Sequence, residues 1–303
     1  LIVVAECTVC LLLWLVTAVL KSGPDFTMTM GGLDAIWEDQ TRLAFSGRNC
    51  EDQRFQIYRW LTYQFTHLHL VHVISNVFLI IMLGIPMEGM HGHLRFLLMF
   101  NAGVIGGALC ALVTETHTGV VGCSGGVYAI LGMHFADLIM NWREKQFRFP
   151  TLILLVTLAV LDIWSGVAAA DASSKTSHSA HVGGAISGLL MGVVIGRNLK
   201  ERLHEKYLVR AAWLVALSLL VFCLTWNFTQ PTGPRTIWEA LAGEEGWCWF
   251  AQMLDLFVTP LAYRCIRCST PQCVDAWLAF NATETPKIVQ NFVDAGMPAS
   301  TST

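Results

Sequence analysis

A chain of 303 residues with 54% hydrophobic and 14% charged residues, a formal charge of -3 and a mean hydropathy of +0.53 is too apolar for an ordinary water-soluble domain. It has no long basic run to replace phosphate counterions, so it is not expected to bind nucleic acid. The expected solvent is the lipid bilayer, and the first residue, which is not Met, is read as lying inside a longer protein.

About 20 apolar residues cross the hydrocarbon core as a helix, and seven such stretches are predicted: 1–20, 69–86, 94–113, 124–140, 150–170, 181–196 and 208–228. The first could be a signal peptide, but it lacks a basic leading region, and Glu6 and Trp14 interrupt it. Orientation follows from the short loops, because Lys and Arg stay cytoplasmic. Arg143, Lys145 and Arg148 lie between the fourth and fifth spans; Arg197, Lys200, Arg202, Lys206 and Arg210 lie between the sixth and seventh. Alternation then puts the first loop (22–64), the approach to Ser124, the loop 171–180 and everything after 228 on the lumenal or extracellular side.

The cysteines agree with that topology, since disulfides persist in oxidising compartments. Cys50, Cys248, Cys265, Cys268 and Cys273 fall on the outer side, as do the two sequons at Asn227 and Asn281. The CxxC of Cys265 and Cys268 leaves zinc as a rival to a disulfide. Asn227 sits too close to the membrane to be modified. The stretch 247–263 is aromatic-rich and reads either as an interfacial helix or as part of a disulfide-closed microdomain; Asp255 and Pro260 argue against an eighth span. Two regions result: a membrane domain over 1–228, and a Cys-containing lumenal tail over 229–303 with no predicted role.

Polar side chains inside spans are functional candidates by default. In the second span "HVISN" puts His72 and Asn76 four residues apart, on one helix face. In the fourth, "VVGCSGGVYAILG" sets Ser124 among glycines at the helix start. The sixth opens on His181 and carries Gly184, Gly188, Gly192 and Gly196 at four-residue intervals, a pattern that lets helix backbones touch in lipid. Small residues on the fourth span would pair with that ladder and bring His181 within reach of Ser124. A serine hydroxyl attacks only when a base takes its proton, and histidine is the commonest base. Ser124 is therefore the expected nucleophile and His181 the expected general base. Asn76, His72 and the Ser124 backbone N–H are the expected oxyanion donors. Tyr128, one turn below Ser124, would stack on the imidazole, and Gly122 would let substrate and backbone approach closely.

These motifs, "GCSGGVYA", "HVGGAISG" and "HVISN", resemble the signatures of the rhomboid intramembrane serine proteases, on spans in the matching order. "LGIPMEGMHG", with Glu88, is similar to that family's second-helix ending. The seven-span layout is similar to the eukaryotic rhomboid-related proteases of the secretory pathway. The resemblance covers roughly 59–228. It implies an all-α, polytopic helical bundle with a six-helix core and one added C-terminal helix. It also implies an endopeptidase using a Ser-His dyad, with no cofactor or metal, acting in the lipid bilayer on single-span membrane proteins such as growth-factor precursors. The implied location is the Golgi, endosome or plasma membrane, with the site facing outward. By position the resemblance assigns Ser124, His181, Asn76, His72 and Tyr128 the roles already derived. The chain departs from the family in having Cys123 where Ala is commoner, and "YRW", in which Arg59 fits but Tyr58 replaces a tryptophan.

Each of these residues has a plain structural reading when taken singly, as packing or as interhelical hydrogen bonding; only their joint convergence argues for chemistry. Asp162 and Glu6 are read as structural, Glu88 as a helix-end brace, and Cys7, Cys10, Cys110, Cys123 and Cys223 as small hydrophobes. His67, His69, His91, His93, His117, His134, His178 and His204 are read as interfacial or loop histidines, with His67 able to hold water near the site. The rival functions are an inactive rhomboid-like protein that binds membrane clients for trafficking or degradation, and a transporter. A transporter would show internal repeats and charged residues at mid-membrane; no convincing repeat is present, and the polar cluster is shallow and not central.

Overall fold

The computed structural model describes residues 1–22, 43–45, 54–115, 119–168, 177–199, 203–229, 237–241, 248–254 and 262–268. Cys50, Cys273 and Asn281 lie outside them. The described bundle is all-helical: α1 (Ile2–Ser22), α2 (Arg59–Thr62), α3 (Leu70–Leu79), α4 (Ile85–His91), α5 (His93–Thr114), α6 (Ser124–Asn141), α7 (Arg148–Ala168), α8 (His178–Ile195), α9 (Leu203–Thr229) and the short α10 (Ile237–Leu241). A π-helical segment, Ile80–Gly84, joins α3 to α4, so the second predicted span is one helix with a wider turn in its middle. Widening a turn frees a carbonyl. Here the Leu83 carbonyl accepts from His134 Nε2 at 3.0 Å, which gives that histidine a structural task.

Six described helices are long and apolar enough to cross a membrane: Ile2–Val19, Leu70–His91, His93–Thr114, Arg148–Ser165, His178–Ile195 and Glu205–Thr229. The remaining predicted span, α6, has the length but not the hydropathy. Ser124, His134, Asp137 and Asn141 lower its mean, and this is tolerated because fourteen of its eighteen residues are buried among the other helices. A helix screened from lipid by its neighbours need not be apolar itself.

The centre of the bundle is α5, α6 and α8 packed through small residues. A Cβ on Gly184 would run into the Gly125 carbonyl oxygen of α6, and one on Gly188 into the Ala129 backbone. The predicted pairing of the fourth and sixth spans is thus the observed one. From α5, Gly103 meets Ala129 and Gly106 meets Ser187 in the same way. Such contact lets dispersion and Cα–H contacts hold the helices where lipid supplies no hydrophobic drive.

Glu88 ties α1 to the end of α4 by accepting from the Ile2 and Val3 backbone N–H groups at 2.5 and 2.9 Å, the bracing role expected of it. At the same end, Asp137 pairs with Lys145 and with Asn141 Nδ2 at 2.8 Å. The Leu199 N–H donates to Asn141 Oδ1 at 2.8 Å and the Arg197 N–H to His91 Nδ1 at 2.8 Å. The cationic loops are therefore fastened by buried polar caps. Asn227 is buried, its amide donating to the Cys223 carbonyl at 2.8 Å.

In the tail, the described part of the stretch 247–263 is strand and not interfacial helix: Cys248–Leu254 forms strand β1, paired antiparallel with β2, Ala262–Cys268, in a register that sets Cys248 opposite Cys268 and Leu254 opposite Ala262. Trp249, Phe250, Tyr263 and Ile266 supply the aromatic and β-branched content that favours strands.

Candidate active site

Ser124 is the first residue of α6, and the chain reaches it through a turn fixed from several sides. Phe45 of the first loop and Val120 exchange backbone hydrogen bonds at 3.3 and 3.1 Å. The Gly122 N–H donates to the Tyr63 carbonyl at 3.1 Å, and buried Tyr63 anchors its own hydroxyl on the Val104 carbonyl at 2.8 Å. Arg59, buried at the start of α2, donates to the Ala44 carbonyl and, at 2.6 Å, to Gln56 Oε1. The arginine of "YRW" thus holds the first loop against the site, while Tyr58 is exposed.

Gly122 has φ +96°, and a Cβ there would lie 2.8 Å from His72 Nε2 and 3.5 Å from Asn76 Nδ2. Only glycine fits both constraints. The same distances show that the His72 and Asn76 side chains face the turn before Ser124, as their shared helix face predicts. Asn76 Nδ2 is buried and has no hydrogen-bond partner among the described residues. An amide donor left open at such a place calls for an explanation, and a transient oxygen acceptor provides one.

Ser124 Oγ donates to His181 Nε2 at 3.1 Å. The imidazole lies flat on the Tyr128 ring, with centroids 4.1 Å apart and planes at 11°. Gly184, three residues after His181, and Gly188 make the close approach that brings the two helices to this distance. All eight residues singled out from the sequence, namely Ser124, His181, Asn76, His72, Tyr128, Gly122, Gly184 and Gly188, belong to one constellation at one end of the bundle.

Two features were missed by reading the sequence. Asp162, taken there as structural, reaches from α7 and accepts from His181 Nδ1–H at 3.2 Å. That hydrogen bond puts the Nδ1 proton on the carboxylate side and leaves the Nε2 lone pair free for the Ser124 hydroxyl. The row is therefore serine, histidine, aspartate. An ionisable residue inside a predicted span was the available signal; its separation of 19 residues from His181, across a loop, gave no hint of contact. His178 stands edge-on to His181 at 5.7 Å, with Nδ1 3.9 Å from Asp162 Oδ2.

The second feature lies behind Ser124. His67 is not at an interface: it is buried, with Nε2 3.4 Å from Cys123 Sγ and its ring edge-on to His72 at 5.1 Å. Burial, with His72 beside it, pushes the His67 pKa down to about 3, so this imidazole is neutral. Among the described residues, two groups hold three ligand atoms within 4.8 Å of one another: Cys10, His67 and Cys123, and Asp162, His178 and His181. In the second group, His181 Nδ1 and Asp162 already satisfy each other.

Residues 54–198 match the family model of the rhomboid domain. Rhomboid-related protein 3 of Homo sapiens is 34% identical over 186 residues, covering 57% of this chain and 45% of that protein. Rhomboid-related protein 2 of Mus musculus is 30% identical over 182 residues, covering 57% and 60%. A protein of Caenorhabditis elegans called inactive rhomboid-related protein 2 is 24% identical over 148 residues, covering 48% and 42%. The chain spans about half the length of the curated relatives it matches.

Proposed function

We propose that this chain, an integral membrane protein that belongs to the rhomboid family, is an intramembrane serine endopeptidase. One observation carries the reading: a serine hydroxyl on α6 in hydrogen-bond contact, at 3.1 Å, with an imidazole on α8. One matched relative is named inactive, so membership by itself does not supply an activity, and the reading rests on the side chains of this chain.

Ser124 Oγ attacks the carbonyl carbon of the scissile peptide while His181 Nε2 takes its proton. The Asp162 carboxylate holds the ring in the required tautomer and stabilises the imidazolium that forms, as in serine-histidine-aspartate hydrolases on unrelated folds. Negative charge on the former carbonyl oxygen is met by Asn76 Nδ2–H and His72 Nε2–H, which face the turn at Gly122. His181 passes its proton to the leaving amine as the C–N bond breaks. A water then attacks the acyl ester, His181 takes that water's proton, and Ser124 is released.

The site lies at the end of the bundle opposite Lys145 and Arg197, which by the positive-inside rule is the lumenal or extracellular face. A peptide carbonyl is reachable only after its helix unwinds, so the substrates are single-span membrane proteins with helix-weakening residues near that face. The test is cleavage of a co-expressed single-span substrate by the wild type, Ser124→Ala and His181→Ala. The expected result is product from the wild type alone, with a fluorophosphonate probe labelling the wild type and sparing Ser124→Ala. Equal cleavage by all three proteins sinks the proposal.

A further inference from the structure

Behind the nucleophile turn, three side chains with soft or borderline ligand atoms converge from elements far apart in the sequence. Cys10 comes from α1, His67 from the turn before α3, and Cys123 from the residue capping α6. All three are fully buried, and their ligand atoms lie within 4.8 Å of one another. The Cys123 backbone N–H points at His67 Nε2 from 3.4 Å, and the Cys123 sulfur lies 3.4 Å from the same nitrogen. The ring's lone pair is therefore on Nε2, which meets that N–H and lies beside the Cys123 sulfur. Its proton is on Nδ1, which is buried with no hydrogen-bond partner among the described residues. The contact with the Cys123 N–H steadies the turn, and it also sets this Nε2 beside two thiols, so that three soft or borderline donors share one dry pocket.

We propose that Cys10, His67 and Cys123 bind a zinc ion that ties α1 and the turn before α3 to the residue preceding Ser124. The geometry suits it: with Zn–S about 2.3 Å and Zn–N about 2.0 Å, tetrahedral coordination places a ligand sulfur and nitrogen roughly 3.5 Å apart, against the 3.4 Å between Cys123 Sγ and His67 Nε2. The charge balance selects the ion. Binding releases two thiol protons, and two thiolates with a neutral imidazole then cancel the charge of a dication. Monovalent copper would leave one net negative charge in a site closed to water, where an uncompensated charge is strongly disfavoured. Hard dications such as Mg²⁺ and Ca²⁺ prefer oxygen and are excluded by the donor set. The Gln64 carbonyl oxygen and Glu6 Oε1 each lie 3.6 Å from Cys10 Sγ; the neutral carbonyl, unlike an ionised carboxylate, would complete the donor set without upsetting that charge balance.

Two consequences reach the proposed chemistry without the ion touching substrate. Cys123 is peptide-bonded to Ser124, so fixing its sulfur fixes the turn that aims the hydroxyl. The His67 ring abuts His72, so holding the first also holds the second. The inference stands apart from the peptidase reading, because metal content is measured without substrate.

The experiment is elemental analysis of the full chain purified in detergent without chelators, beside Cys10→Ala and, as control, Cys7→Ala, whose thiol faces the Val77 carbonyl instead. The expected contents are about one zinc per chain for the wild type and Cys7→Ala and roughly tenfold less for Cys10→Ala. Cobalt exchange should give a thiolate-to-metal charge-transfer band that Cys10→Ala lacks. Should Cys10→Ala not fold, thiol alkylation of the wild type reads the same site, with Cys10 and Cys123 protected until a strong chelator strips the ion. Wild type with neither zinc nor the cobalt band, equal metal in Cys10→Ala, alkylation indifferent to chelator, or a Cys10–Cys123 disulfide in the purified protein would each overturn the proposal.

Discussion

Asp162 Oδ1 and His181 Nδ1 stand 3.2 Å apart, which makes α7 a contributor to the site that α6 and α8 build. Leu155 is the buried apolar anchor of α7, and much of the rest of that helix is exposed, including Ile153, Val160, Leu161, Ile163 and Trp164. The carboxylate is thus presented by a helix that otherwise leans on the bundle lightly.

Replacing that carboxylate separates a tautomer effect from a packing effect. Asp162→Asn can turn an N–H toward Nδ1, which forces the ring proton onto Nε2 and removes the lone pair that accepts from Ser124. The expected fall in kcat is on the order of 10²–10⁴-fold, with KM little changed. Asp162→Ala deletes the contact without imposing the wrong tautomer and should retain more activity than the near-isosteric Asn. If Asp162 only filled space, the order would reverse. Steady-state cleavage of a purified single-span substrate by the two variants decides between these outcomes.

What the sequence made legible and what it hid follow from how each contact is encoded. Ser124 and His181 could be paired in advance because Gly184 and Gly188 form a ladder within one helix, and a ladder of small residues announces a close partner. His72 and Asn76 share a face by helical period alone. Asp162 and His67 had no such local signature: one meets His181 across a helix-to-helix loop, the other meets Cys123 across 56 residues, and neither distance is written in a periodicity. The polar character of α6 reduced its resemblance to a span for a related reason, since burial within a bundle is a tertiary fact. The tail stretch stayed open between an interfacial helix and part of a microdomain because a short aromatic-rich run fits either form until its partner strand is known.

Asn76→Ala should move activity and stability in opposite directions. The Asn76 amide nitrogen is buried and has no hydrogen-bond partner among the described residues, so removing it relieves a desolvated donor, and the melting temperature in detergent should hold or rise. By the proposed mechanism the same deletion takes one donor from the oxyanion and should lower kcat about 10²–10³-fold. A fall in both quantities together would place Asn76 in the structural framework instead.

Gly184→Ala tests the helix seam. The added carbon would meet the Gly125 carbonyl oxygen, and its next neighbours are the Gly125 carbonyl carbon and Cα at 2.9 and 3.1 Å; backbone atoms cannot rotate away. Helix α8 must shift, carrying His181 with it, at about 1–3 kcal/mol of stability. Gly89→Ala in α4 is the matched control, because nothing lies within 4 Å of the new carbon, and helix propensity should add about 0.5–1 kcal/mol. Unfolding titrations in mixed micelles, run beside cleavage assays, should show loss of both properties in the first variant and neither in the second.

Tyr128 serves His181 through its ring and faces Asp162 through its hydroxyl. The stacked ring, 4.1 Å from the imidazole at 11°, limits tilting of His181 and contributes about 0.5–1.5 kcal/mol beyond the area it covers. Tyr128→Phe keeps the stack and should lose only a few-fold in kcat; Tyr128→Ala removes it and should lose about tenfold or more. The hydroxyl acts on the base only by way of the carboxylate, so adding Tyr128→Phe to Asp162→Ala should change nothing further. An additive loss in that double variant would mean that the phenol reaches the reacting groups by a route of its own, and the kinetic comparison of the four proteins measures that coupling directly.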